Sequence, residues 1–437
     1  MNQSIETPSS HWLLWQKIAF RFFCIFFLLQ ITPWSWLDSE VPGISYLNDF
    51  YYRAVEWVVE RFNQYLFHFV KTTVVNNGSS DTSLNWELQF THLCLAAAGC
   101  FVWSILDRKR ESYTQANYWL RTFMRYYLIM MCFRYGIDKW YVLQMPFPNQ
   151  SQLATPLGDF LPMRFSWMFI GYSTPYEMFS GAMEILAGLL LLNRKTITLG
   201  LMVGLVVLAN VMVLNLCYDI PVKLFSMQLV IYFVYLLVND IKRLLQFFVF
   251  NKNVNANTIH HISFPKKWMR VTRILLKIAF VGLFVIEPVF TTKKFYASLG
   301  TPVNTKPVRP GIYDVAVFAL NKDSIPALVT DTLRWQNLVI ETNGIGSVGS
   351  TDTAFRQRYR RGYFNLVVDS VKQTIAFKKN AAATNFIASF RFEMPDSNTI
   401  RLTGSKGKDS LFVLLKKSNR HFQLAERQFH WISEANR

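Results

Sequence analysis

Apolar positions along the chain fall into two regimes that change near residue 311. Before it, unbroken apolar runs near the ~20 residues a bilayer requires centre on residues 18–37, 85–106, 120–143, 175–193, 197–217, 222–239 and 271–291. They predict seven membrane spans. The first run lacks a small-residue cleavage site and its aromatics continue to Trp36, so it reads as an uncleaved anchor rather than a signal peptide, with Lys17 and Arg21 snorkelling at its start. Between the first two runs, Val55, Val58, Val59, Phe62, Leu66 and Phe69 recur at helical spacing, with Arg53, Glu56, Glu60 and Arg61 between them. That pattern predicts an amphipathic helix on the outer membrane surface. The run FSWMFIGY at 165–172 is too short to cross and reads as interfacial or re-entrant.

From Gly311 onward the period falls to two. Tyr313, Val315 and Val317 alternate, as do positions in 333–341, 363–370, 372–379, 386–393, 399–404 and 410–416, with a hairpin turn at 404–409. A small antiparallel β-sandwich or barrel is expected, joined to the membrane by the proline-rich 301–311. The predicted fold class is an α-helical polytopic membrane bundle followed by a C-terminal antiparallel all-β domain. Its parts are N-terminal spans over 1–118, a four-helix core over 119–240, a cytoplasmic loop and last span over 241–300, and the β domain over 301–437.

Charge orients this arrangement. DRKRES at 107–112, the turn Asn193-Arg194-Lys195 and the segment 240–270 with Lys266 and Lys267 are basic and alternate with acidic or mixed loops, which predicts a cytoplasmic N-terminus and an extracytoplasmic tail, as in a bacterial inner membrane protein. The net charge of +18 lies half in that tail and largely otherwise in cytoplasmic loops, so anionic membrane lipid explains it and nucleic acid does not. Five cysteines stand in or beside spans without a C-x-x-C pair, which excludes a disulfide scaffold and an obvious dithiol. His92 is the clear intramembrane histidine, too few for bis-His haem, and His260-His261 lacks the company of a metal site. No P-loop, G-x-S-x-G or H-E-x-x-H motif occurs, and His430 has no nearby nucleophile. In the tail, Arg356, Arg358, Arg360 and Arg361 read as a solvated loop or a site for anionic headgroups or a partner, and Trp335 and FHWISE (429–434) as aromatics closing the β core.

Candidate chemistry lies inside the apolar runs. Thr174, Pro175 and Glu177 form a capping box that opens a helix. Glu184 then falls near mid-bilayer, with Gly181 and Gly188 on its own face, so it should face neighbouring helices. A carboxylate there costs at least ~2.5 kcal/mol to insert unless it finds a partner or a proton. Arg134, Asn210 and Asn215 stand at suitable depths on adjacent runs. Above them, Tyr135, Asp138 and Lys139, together with Asp219, Pro221 and Lys223, Asp159 and Glu177, read either as a polar mouth or as caps and interfacial anchors.

The succession YGIDKW, MPFP, PLGDFLP, WMFIGYS, PYEMFSGAMEILAGLLLLNRKT and LANVMVLNLCYDIPVKLFS resembles the DoxX-like membrane family over about residues 120–240. On its motifs Lys139, Glu184, Asn210, Tyr218, Asp219 and Lys223 are the family-like positions. The resemblance implies a four-helix module tied to redox or quinone-linked systems. The expected function is a quinone- or lipid-binding subunit whose headgroup lies between Glu184, Arg134 and Asn210 and whose electrons come from a redox partner protein. The alternative is a non-enzymatic scaffold or transport-related protein whose exported β domain recruits a partner. A vitamin-K-carboxylase-like intramembrane enzyme shares only the architecture.

Overall fold

The structure, a computed structural model, describes residues 11–32, 43–68, 79–255, 265–299, 303, 305–328, 333–380, 382–427, 429–432 and 434. His260-His261, Trp36 and Phe69 lie outside these residues. The chain forms two compact units, Met1–Trp140 with Phe179–Val289, and Tyr141–Met178 with Phe290–Arg437.

The helices are α1 (Leu14–Ile31), α2 (Ile44–Phe62), α3 (Ser83–Leu106), α4 (Thr114–Trp140), α5 (Gln150–Leu153), α6 (Pro162–Tyr172), α7 (Thr174–Leu192), α8 (Ile197–Cys217), α9 (Lys223–Phe248), α10 (Lys267–Val281) and α11 (Glu287–Leu299). Among the described residues six are long and apolar enough to cross a membrane: α1, α3, α7, α8 with its preceding turn, α9, and the continuous stretch from α10 through a π-helical turn into α11. The seventh expected span corresponds to α4. Its 27 residues reach about 40 Å at 1.5 Å each, but Arg121, Arg125, Arg134, Asp138 and Lys139 dilute its apolarity.

In α2, Val55, Val58, Val59 and Phe62 form the less exposed side, and Leu66 beyond its end is exposed. Arg21 does not snorkel. It is buried in the bundle unit and donates to Tyr113 Oη (2.9 Å), Ser104 Oγ (2.9 Å) and the Asp107 carbonyl (3.0 Å), within an aromatic group of Trp12, Phe20, Trp103 and Tyr113. A guanidinium with so many local acceptors gains more from them than from water outside.

In the second unit the strands are β1 (Gly311–Leu320), β2 (Asp323–Ser324), β3 (Asn337–Ile340), β4 (Ile345–Val348), β5 (Arg356–Arg358), β6 (Arg361–Asp369), β7 (Thr374–Lys378), β8 (Phe386–Asp396), β9 (Thr399–Lys406) and β10 (Asp409–Lys417). The ten-stranded antiparallel sheet runs β10-β9-β8-β7-β6-β4-β3-β1 and closes by pairing β1 with β10, from Tyr313 opposite Lys417 to Leu320 opposite Leu411. Strands β2 and β5 lie off this ring, which leaves eight around a barrel. Between sandwich and barrel, the structure is a barrel. Its interior is packed, not hollow, with Trp335, Phe355, Phe364, Phe377 and Phe390 at 2% exposure or less and Phe364 stacked on Phe377 at 3.9 Å. Trp335 is a core residue as expected, whereas Phe429 and Trp431 are exposed and do not close the core.

The segment 141–178 belongs to the barrel unit, although the apolar pattern put it with the bundle core. Helix α5 carries Ser151, whose amide and hydroxyl both donate to Glu341 Oε1 at 2.8 and 2.7 Å. Ser347 Oγ donates to Ser151 Oγ at 2.8 Å, and Arg361 donates to Ser347 Oγ and Asn337 Oδ1 at 3.1 and 2.8 Å. Burial pushes the Arg361 guanidinium down to about 10, which keeps it charged at neutral pH. Every polar group named in this buried chain has a partner, the condition under which such a network holds a fold together.

Candidate functional site

Helices α4 and α7 meet through glycines. A Cβ on Gly181 would stand 2.6 Å from the Gly136 carbonyl oxygen and 2.9 Å from Lys139 Cβ, and one on Gly136 would stand 2.8 Å from the Gly181 carbonyl oxygen. Backbones therefore touch at this crossing, as small residues permit between membrane helices. The approach brings Lys139, at the C-terminal end of α4, to Glu184 in the middle of α7. Lys139 Nζ donates to Glu184 Oε1 in an ion pair whose side chains are 4% and 2% exposed. The α4 C-terminus carries the negative end of the helix dipole and adds to the stabilisation of the ammonium. Gly181→Val is expected to push the helices apart and lower the thermal midpoint of the detergent-purified protein by several degrees; an unchanged midpoint would mean the crossing is looser than drawn.

Glu184 Oε2 has no hydrogen-bond partner among the described residues. It borders a void of about 10 Å³ lined by Leu128, Met131, Cys132, Tyr135, Leu208 and Phe233. Such a volume admits one water and excludes an aromatic headgroup.

The remaining sequence-derived positions disperse. Arg134 points away from Glu184, is 64% exposed and pairs with Asp138 at 3.6 Å, one helical turn along α4. It faces outward because it stands five residues from Lys139, half a turn out of phase with the buried side. Asn210 on α8 is exposed, and Asn215 is buried with its Nδ2 unpartnered among the described residues. Tyr218 is half-buried and Asp219 exposed. Lys223 pairs with Asp219 at 2.7 Å and with Asp81 at 3.6 Å. Asp81 also accepts the amides of Lys223 and Leu224 at 2.8 and 2.9 Å, so it caps α9. Sequence reasoning missed Asp81 because the cap comes from a different part of the chain. Glu177 likewise does not close a local capping box with Thr174: Ser173 precedes α7, and Glu177 Oε1 accepts the Met145 amide at 2.9 Å.

No protein-family model matches the chain, and no solved structure matches it. A stretch of 83 residues, 19% of the chain, is 37% identical to "Uncharacterized protein YwoB" of Bacillus subtilis. The match spans about half, 54%, of that relative's length. Its name assigns no activity.

The barrel unit carries a second concavity, a groove of about 260 Å³ whose walls include Leu153, Leu157, Phe160, Met168, Phe422 and Leu424. At one rim Phe160 meets Tyr359 with ring centres 5.1 Å apart, and Arg360 reaches Asp159 at 3.6 Å. The turn between β5 and β6 is thereby held beside the groove, with Arg356 and Arg358 exposed on β5. Of the four tail arginines only Arg361 is buried.

Proposed function

We propose that this integral membrane protein is a scaffold whose helices hold a basic barrel unit at the membrane for a partner protein. The observation that carries the reading is that neither Glu184 nor the barrel interior borders a space for a ligand among the described residues. The void beside Glu184 has room for a water, and the barrel is packed with aromatic rings. Binding surface is then external, and the apolar groove, with the arginine-bearing turn at Tyr359 and Arg360 against its rim and Arg356 and Arg358 on the strand leading into that turn, fits an apolar segment with acidic residues at its edge. The reading takes α4 as a seventh crossing, with the N-terminus cytoplasmic and the barrel outside a bacterial inner membrane.

Affinity purification of the full chain tests it. Arg356→Glu with Arg358→Glu is expected to reduce recovery of a stable partner at least tenfold while Glu184→Gln leaves it unchanged. An identical partner set after the charge reversal sinks the scaffold reading.

The DoxX-like resemblance supports a second reading, a quinone-linked subunit with a redox partner, favoured by the unpartnered Glu184 Oε2. Its ligand would contact the bundle from the lipid side, since the void admits no ring. Quinone extracted from the purified wild type and lost in Glu184→Gln would decide for it.

A further inference from the structure

At the end of the bundle unit away from Lys139, arginines converge. Positions 118, 121 and 125 recur at helical spacing on α4 and share one face. Arg194, in the turn between α7 and α8, donates to Tyr118 Oη at 2.8 Å, which fixes that turn against this face. Arg121 donates to the Leu236 carbonyl of α9 at 2.6 Å. Arg125 lies over the Tyr126 ring at 5.2 Å, and its buried Nε has no hydrogen-bond partner among the described residues. Arg125 repels both Arg121 and Arg194. Asp240, the carboxylate of α9 that meets this end, attracts Arg121 and is also engaged by Arg243 at 3.3 Å and by the Thr198 hydroxyl at 2.9 Å.

Arg125 beside two further cations, with an unpartnered buried Nε, is costly. Arg125 is about 16 Å from the start of α4 at 1.5 Å per residue. Arginine inside a membrane protein is ordinarily paired, yet no carboxylate lies within 4 Å of Arg125 among the described residues. A compact anion with several acceptor oxygens would relieve the mutual repulsion and take the open Nε donor of Arg125. Phosphate oxygens match that chemistry, and basic pockets between membrane helices bind phospholipid headgroups.

We propose that Arg121, Arg125 and Arg194 form a binding site for a phosphate group, the headgroup phosphate of an acidic phospholipid. The site does not depend on the scaffold reading, because none of its residues belongs to the barrel unit.

The test is thermal unfolding of the full-length protein in neutral detergent, titrated with phosphatidylglycerol, phosphatidylcholine or inorganic phosphate. Phosphatidylglycerol is expected to raise the midpoint at concentrations where phosphatidylcholine does not. Arg125→Gln and Arg194→Gln should each weaken that response roughly fivefold, and Lys195→Gln, an exposed charge beside the site, should leave it intact. Arg194 lies outside the long helices, so its variant keeps the test readable if Arg125→Gln misfolds. A rise with inorganic phosphate alone that is lost in the same variants supports the phosphate site and assigns it to the free ion. Equal responses to both lipids with none to phosphate, or a phosphatidylglycerol preference that survives both arginine changes, overturns the proposal.

Discussion

Lys139→Met is expected to destabilise the bundle by about 3–5 kcal/mol, because it strands the buried Glu184 carboxylate without its ammonium, and the single water that the neighbouring void can hold does not replace that charge. Protonation of Glu184 limits the loss but leaves a buried acid with one oxygen already unpartnered. The double variant Lys139→Met with Glu184→Met is expected to recover most of that loss, since two apolar side chains of similar size refill the space without charge. Unfolding of the purified protein in mixed micelles, run as a double-mutant cycle, measures both. A single variant costing under about 1 kcal/mol would show that solvent reaches the pair, as it does for surface ion pairs. A double variant as unstable as the single one would show instead that the ammonium supports other groups.

Trp335→Ala is expected to cost the barrel about 3–5 kcal/mol, the range for removing a large aromatic from a packed core. Trp335 is 1% exposed and meets Phe318, Phe355, Phe377 and Phe390 with ring centres 5.8 to 6.0 Å apart. Trp431 is 92% exposed, and Trp431→Ala is expected to stay within about 0.5 kcal/mol. Denaturant titration followed by near-ultraviolet circular dichroism separates the two. Equal losses would place Trp431 in the core after all.

The two tryptophans show what was legible and what was not. Trp335 was placed in the core by its alternating run at 333–341, and it is buried there although it lies two residues before β3 begins. Trp431 follows the last strand, where no period constrains it, and composition alone misplaced it. In the bundle, the small residues around Glu184 correctly implied a helix-facing carboxylate. Its partner was expected in Arg134, Asn210 or Asn215 and is instead Lys139, five residues beyond Arg134 on the same helix, because helical phase relative to α7 depends on where the backbones cross. That crossing is set by Gly136 against Gly181, a pair no local pattern announces. Asp81 on α9 and Ser151 on Glu341 were hidden for the same reason: each bond joins residues at least 142 positions apart. Segment 141–178 was assigned by hydropathy to the bundle, while its hydrogen bonds join it to the barrel.

The pairing of β1 with β10 also governs the order in which the barrel can be completed. The strand that begins at Gly311 cannot fill its second edge until the chain has been synthesised through Lys417. Until then β1 offers open amides and carbonyls to any other extended chain, and the ring must pay a long loop closure in one late step. Once shut, it leaves no continuous edge for a second copy to extend, so the hazard belongs to the nascent chain and not to the finished protein.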